Sequence, residues 1–296
     1  MALLPLKLSL LPPVIKYSMD YIWCKQNEIM LKNYLLVVSR STLWVLFIFN
    51  MAAQGFGQIN DGWKLEKMPA DLETDFALSA LPPQLRGSAT IYLLDPEKGY
   101  YISKPGTNGF ICFIARTEWE WAEFRQDVAT PISYDAEGAK TIMPVYIDVA
   151  AMRASGKWAP AQIRDTIIAR IKNGYYKCPS RPGISYMEAP MMRVYTSNNP
   201  GNNNVASVSM PHYMYYAPYL TYTDLGVDSN STQGPFLVNP DAMVLGGQKG
   251  PYEYLITLLN EAETAKIKES GQALLKRLEN YKPYFKVEDI MNAHHQ

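Results

Sequence analysis

His212 is the one histidine inside the chain; His294 and His295 lie at its very end. An imidazole titrates near neutral pH and is the side chain best suited to moving a proton there, so His212 is the first candidate for a general base. Asp135 and Glu137 stand two positions apart. On a strand that spacing puts both carboxyls on one face, where they could divide acid and base work as glycosidase carboxylates do. The alternative is a solvated turn, because Asp135-Ala136-Glu137-Gly138 has turn composition. Cys112 could serve as a nucleophile with His212 as its base. However, it sits in the run FICFIAR (110–116), apolar on both faces, where a cysteine is usually a small core residue and burial blunts the thiol.

A second group of residues could bind rather than react. Tyr213, Tyr215, Tyr216, Tyr219 and Tyr222 crowd the segment after His212, and Tyr186 lies upstream. Tyrosine offers rigid amphipathic contact area with a hydroxyl handle, suited to a sugar, a peptide or another small molecule. Strand alternation puts Tyr213 and Tyr215 on one face and Met214 and Tyr216 on the other. The competing expectation is that about half of these rings fill the core. Arg116 and Arg181 are the cations taken to join Tyr186, Tyr213, Tyr215 and Tyr216 in a binding surface. One internal histidine leaves no histidine-rich metal site, and no calcium-loop pattern is present. The nucleophile-elbow, phosphate-loop and dinucleotide signatures are missing as well. No metal and no cofactor are expected. A haem held by Tyr or His is the one group these residues could serve without a longer motif.

The elements that must position these side chains begin after a leader. Residues 43–49 are uninterrupted apolar, follow Lys32 and Arg40, and lead into Ala52, Ala53, Gly55 and Gly57. That order reads as a secretory signal peptide. The run is short of the roughly 20 apolar residues a membrane span needs. The organisation expected is an upstream extension (1–29), a signal peptide (30–57), one α+β domain (58–250) and a C-terminal helical tail (251–296), with membrane contact only through an uncleaved leader. The working protein would then be periplasmic or secreted. Its net charge of +0 overall, with no basic stripe, excludes a nucleic-acid partner. Of the 3 cysteines, Cys112 and Cys178 follow the leader. They could pair in an oxidising compartment or stand as two separate thiols.

Within the domain, 71–81 reads as a short helix stopped by Pro82-Pro83. Runs 89–94, 100–103 and 110–116, separated by Asp95-Pro96-Glu97-Lys98-Gly99 and Pro105-Gly106, read as an antiparallel meander. Ile163, Ile167, Ile168 and Ile171 form one stripe between Pro160 and Gly174, the strongest helix signal. The Asn-rich run 197–204 reads as a loop, 210–222 as strand-like, and 252–260 together with 261–281 as helical with a break near Gly271. The fold class expected is α+β: an antiparallel sheet, one main packed helix and the helical extension.

Several blocks recur in order: Leu81-Pro82-Pro83-Gln84-Leu85-Arg86, Gly106-Thr107-Asn108-Gly109-Phe110-Ile111-Cys112, Tyr134-Asp135-Ala136-Glu137-Gly138, Arg181-Pro182-Gly183-Ile184-Ser185-Tyr186-Met187 and Pro211-His212-Tyr213-Met214-Tyr215-Tyr216-Ala217-Pro218-Tyr219. Together, over residues 75–245, they resemble a group of uncharacterised exported bacterial proteins. The resemblance implies export from a bacterial cell and carries no settled activity. The leading expectation is a non-enzymatic exported binding or structural protein using the tyrosine-rich surface. The alternative is an envelope hydrolase using His212 with Asp135 or Glu137, which requires those side chains to converge with Arg116 and Arg181 in one pocket.

Overall fold

The computed structural model describes residues 63–122, 124–196, 205–228, 236–238, 245 and 249–288. The expected leader, the segment before it and the Asn-rich run lie outside the described residues. The chain is an α+β protein. Strands β1 (Thr90–Asp95), β2 (Gly99–Lys104), β3 (Ile111–Ala115) and β4 (Thr130–Tyr134) form one sheet in the order β2-β1-β3-β4. Strands β5 (Ile184–Met187), β8 (His212–Tyr216), β9 (Phe236–Val238) and β10 (Tyr254–Leu258) form a second, ordered β5-β8-β10-β9. Strands β6 (Met192–Tyr195) and β7 (Val205–Val208) make a two-stranded ribbon. The helices are α1 (Ala70–Leu78), α2 (Pro83–Arg86), α3 (Ala136–Thr141), α4 (Met143–Ala154), α5 (Pro160–Lys172), α6 (Tyr222–Leu225), α7 (Glu261–Ser270) and α8 (Gln272–Tyr281).

The β1–β2 hairpin forms where the turn chemistry places it. Asp95 Oδ1 accepts from the Glu97 amide at 2.9 Å, and Gly99 takes φ +92°, the left-handed conformation that favours glycine. The expected meander stops there. The third strand does not add beside the second; it crosses over and pairs with β1 in parallel, Thr90 opposite Ile111 and Ile91 opposite Cys112. The crossing runs tight against the start of β1. A Cβ on Gly106 would collide with the backbone of Ser88, Ala89 and Thr90, so that position needs glycine. Asn108 holds the loop by donating to the Leu85 carbonyl and accepting from the Phe110 amide.

Strand β3 is buried along its whole length, and its alternation feeds two cores. Ile111, Phe113 and Ala115 join Met143, Val145, Val149, Ile163 and Ile167 on one side. Cys112 and Ile114 join Leu72, Phe76, Leu278 and Phe285 on the other. Each fully buried large side chain contributes about 1.5–3 kcal/mol, so helices on both faces hold the first sheet. The expected helix over 160–173 is present as α5, opened by Pro160 in its first turn and ended before Gly174 (φ +74°). It packs on α4, which itself contacts β2. The sequence reading passed over α4 because Pro144 and the β-branched Val145, Ile147 and Val149 mask a helical stripe. The stripe is still there: Val145, Val149 and Met152 recur at helical spacing and are all buried.

The boundary placed at residue 250 cuts a sheet. Residues 254–258, expected to be helical, are β10, an interior strand paired with both β8 and β9. Tyr-Leu-Ile-Thr-Leu is a β-rich run, and ladder pairing outweighed the leucine pattern. The two helices after it are as expected, broken at Gly271, where a Cβ would press on Pro190. The second docks on its own body: Leu278 and Phe285 are buried, and the Phe285 ring lies edge-on to Phe76 at 6.0 Å.

The two four-stranded sheets meet along β4 and β5 through side chains. The Ser133 hydroxyl accepts from the Tyr186 amide and donates to the Tyr186 carbonyl, both at 3.0 Å. The Asp135 amide donates to the Ile184 carbonyl at 3.2 Å. A serine here takes the place of a backbone rung.

Candidate functional site

The catalytic trio does not assemble. Asp135 is the N-cap of α3: Oδ1 accepts from the Glu137 and Gly138 amides and from the Tyr216 hydroxyl, each at 3.0 Å. Oδ2 accepts from the Ile184 amide at 3.3 Å. Glu137 is the second residue of that helix, not a strand neighbour facing the same way. Its Oε1 accepts from the Ser180 amide at 2.7 Å and the Ser180 hydroxyl at 2.9 Å, and its Oε2 lies 3.3 Å from Arg181 Nε. The Ser180 N–H and hydroxyl, then Arg181, hold the Glu137 carboxyl below the usual range, the reverse of what a general acid needs. The space is also full. A Cβ on Gly138 would strike Tyr216 and Tyr134, and one on Gly183 would strike Tyr216 and Asp135. These residues close a packed capping cluster with no room for a substrate.

His212 sits at the opposite end of β8 from Tyr216, four residues away, or about 13 Å along a strand. It faces Met187 and Leu258 across the sheet. The ring is 3% exposed, with Nδ1 2.7 Å from the Met210 carbonyl. Burial lowers its pKa, leaving a neutral, enclosed histidine. Cys112 lies in the other sheet, fully buried, with its thiol pushed up to about 12 by burial. Cys112 and Cys178 are both free thiols, so the pairing considered from sequence is not made.

The tyrosines divide as alternation requires. Tyr216 is buried, Tyr186 and Tyr213 are half-buried, and Tyr215 is 44% exposed. Tyr186 and Tyr213 lie opposite each other on neighbouring strands, edge-to-face at 5.4 Å. Arg181 is solvent-facing beside Glu137.

Of the residues picked from sequence, Arg116 lines a cavity. The cavity has a volume of about 700 Å³ and lies among Trp63, Leu94, Tyr100, Tyr146, Val149 and Arg153, a usual size for a small-molecule site. Two buried guanidiniums reach it, with different duties. Arg153, from α4, spends all five of its N–H groups. It donates to the carbonyls of Trp63, Arg116, Phe124 and Arg125 and to the Thr117 hydroxyl at 2.5–3.2 Å. That set ties the segments at 63, 116–117 and 124–125 to one helix. Burial, then the nearby Arg116, pushes its pKa down to about 9.

Arg116 is held by only two bonds, Nε to the Val128 carbonyl at 2.9 Å and Nη2 to the Gln126 carbonyl at 2.7 Å. Among the described residues it forms no ion pair, and its Nη1 makes no hydrogen bond. Glu73, a carboxyl on which Arg116 acts, is buried and accepts from the Leu94 amide at 2.8 Å. Burial raises the Glu73 pKa to about 7, against the lowering effects of the Leu94 N–H and Arg116. Tyr100 donates to the Ile114 carbonyl at 2.6 Å, and its phenol is spent. The Trp63 indole N–H is buried and has no acceptor among the described residues. Tyr100, Tyr146 and Arg153 were not picked out from sequence. An arginine directly after the buried Val145/Val149/Met152 stripe is the signal that could have found Arg153.

Among the described residues, no group of three or more His, Cys, Asp or Glu side chains is arranged to hold a metal. Comparison with family models, with curated proteins and with solved structures gives no match for this chain.

Proposed function

We propose that this chain is a non-enzymatic, exported ligand-binding protein, and that its ligand occupies the cavity beside Arg116. The observation that carries the reading is a buried cation with unspent donors at the wall of a cavity of about 700 Å³. A site of that make-up binds. The groups proposed for turnover, His212, Asp135 and Glu137, stand elsewhere, each committed to a structural bond. The hydrolase alternative required those groups to meet Arg116 and Arg181 in one pocket, and it has no support from their placement. Export rests on the apolar run 43–49 and the small residues after it.

The test is native mass spectrometry of protein recovered from the exported fraction. The expected result is a chain beginning near Gln58, with a co-purifying small molecule that is missing from an Ala150→Trp variant of unchanged melting temperature. Ala150 lines the cavity, so an indole there takes up the space. A ligand retained by that variant would move the site out of the cavity. An intact leader on protein found in the cytosol would end the export half of the reading.

A further inference from the structure

We propose that the ligand is a monoanion: a single carboxylate on an apolar body, with its charged end on Arg116. The inference rests on the cavity reading above and names what the cavity selects. Arg116 has both N–H groups of Nη1 and one of Nη2 unspent, enough for a two-point contact with a carboxylate, the geometry a guanidinium fork matches best. Among the described residues Arg116 forms no ion pair. Arg153 is compensated only by neutral carbonyls and a hydroxyl, and burial, then the nearby Arg116, lowers its pKa. A buried cation without a counter-ion is costly, and a ligand carboxylate supplies one.

A dianion fits less well. The Tyr100 phenol is tied to a backbone carbonyl. Lys64 and Lys67 also line the cavity, but Lys67 is paired with Asp95, and Asp95 and Glu97 oppose a second negative charge. Leu94, Tyr100, Val149 and Ala150 on the wall offer apolar surface to the rest of the molecule.

The experiment is isothermal titration of the full mature chain with octanoate, octanol and acetate, which separate charge from body. Octanoate is expected to bind at least tenfold more tightly than either octanol or acetate. Arg116→Met should abolish that preference by weakening octanoate and leaving octanol unchanged. Arg116→Lys, which keeps the charge and loses the fork, should fall between. The comparison of octanoate with octanol uses the native protein, so it decides the matter even if Arg116→Met fails to fold. Octanol binding as tightly as octanoate, with both blocked by Ala150→Trp, would overturn the monoanion while leaving the cavity as the site. Binding of both probes undisturbed by Ala150→Trp, or no binding of either, would overturn the cavity reading itself.

Discussion

Replacing Asp135 with alanine separates a catalytic carboxylate from a structural one. The side chain makes four hydrogen bonds: to the Glu137 and Gly138 amides at the start of α3, to the Tyr216 hydroxyl, and to the Ile184 amide at the seam between the sheets. Losing an N-cap costs about 1 kcal/mol. Leaving the Ile184 N–H without an acceptor in a packed seam costs about another 1–2 kcal/mol. Tyr216 loses less, because its hydroxyl can still donate to the Ile184 carbonyl at 3.1 Å. The total is about 2–3 kcal/mol, which in a domain of this size lowers the melting temperature by roughly 4–12 °C. Asp135→Asn keeps one oxygen acceptor for the helix amides and should lose less than half as much. Urea unfolding followed by circular dichroism measures both. An alanine variant with the wild-type midpoint and slope would refute the capping role and reopen Asp135 as a free functional group.

Three further outcomes follow from named contacts. Leu278→Ala removes a fully buried side chain that fixes α8 to α1 and should cost about 2–5 kcal/mol; a loss under 1 kcal/mol would mean the C-terminal helix is only laid on the surface. Glu73 titrates near 7 in the folded protein against 4.5 ordinarily. The folded state therefore holds its proton over a window where the unfolded chain has lost it, and stability falls as pH rises from about 4.5 to 7, by up to roughly 3 kcal/mol. Glu118, raised to about 7 by burial, adds a loss of the same sign. Glu73→Gln should flatten that slope and melt above wild type at pH 8, and an unchanged pH profile would count against the buried carboxyl. Cys178, half-exposed, should be alkylated in the native protein, whereas Cys112 should react only after unfolding; equal labelling rates would contradict the burial of β3.

The sequence carried local chemistry well. The Asp-Pro-Glu-Lys-Gly turn, the isoleucine stripe of α5, the two-faced burial of β3, the tyrosine alternation on β8 and the break at Gly271 all follow from spacing of two or 3.6 residues and from glycine and proline geometry. None of these needs a distant partner. Pairing was harder to read. Nothing in residues 105–110 states that β3 will pass β2 and pair with β1; only the collision a side chain at Gly106 would suffer explains it afterwards. Residues 254–258 read equally as helix or strand until β8 and β9 supply ladders on both sides.

The site divides the same way. Residue type nominated His212, Asp135, Glu137 and Arg116 alike, because a titratable side chain looks the same in a string of letters whether it is spent or free. Tertiary structure decided between them by distributing partners. Asp135 received three N–H groups and a phenol, Glu137 received Ser180 and Arg181, and His212 a carbonyl and a closed core. Arg116 was left with donors to spare at the wall of a cavity. A hydrogen-bonding group is available for function only when the fold leaves it unsatisfied, and that is settled by contacts between residues far apart along the chain.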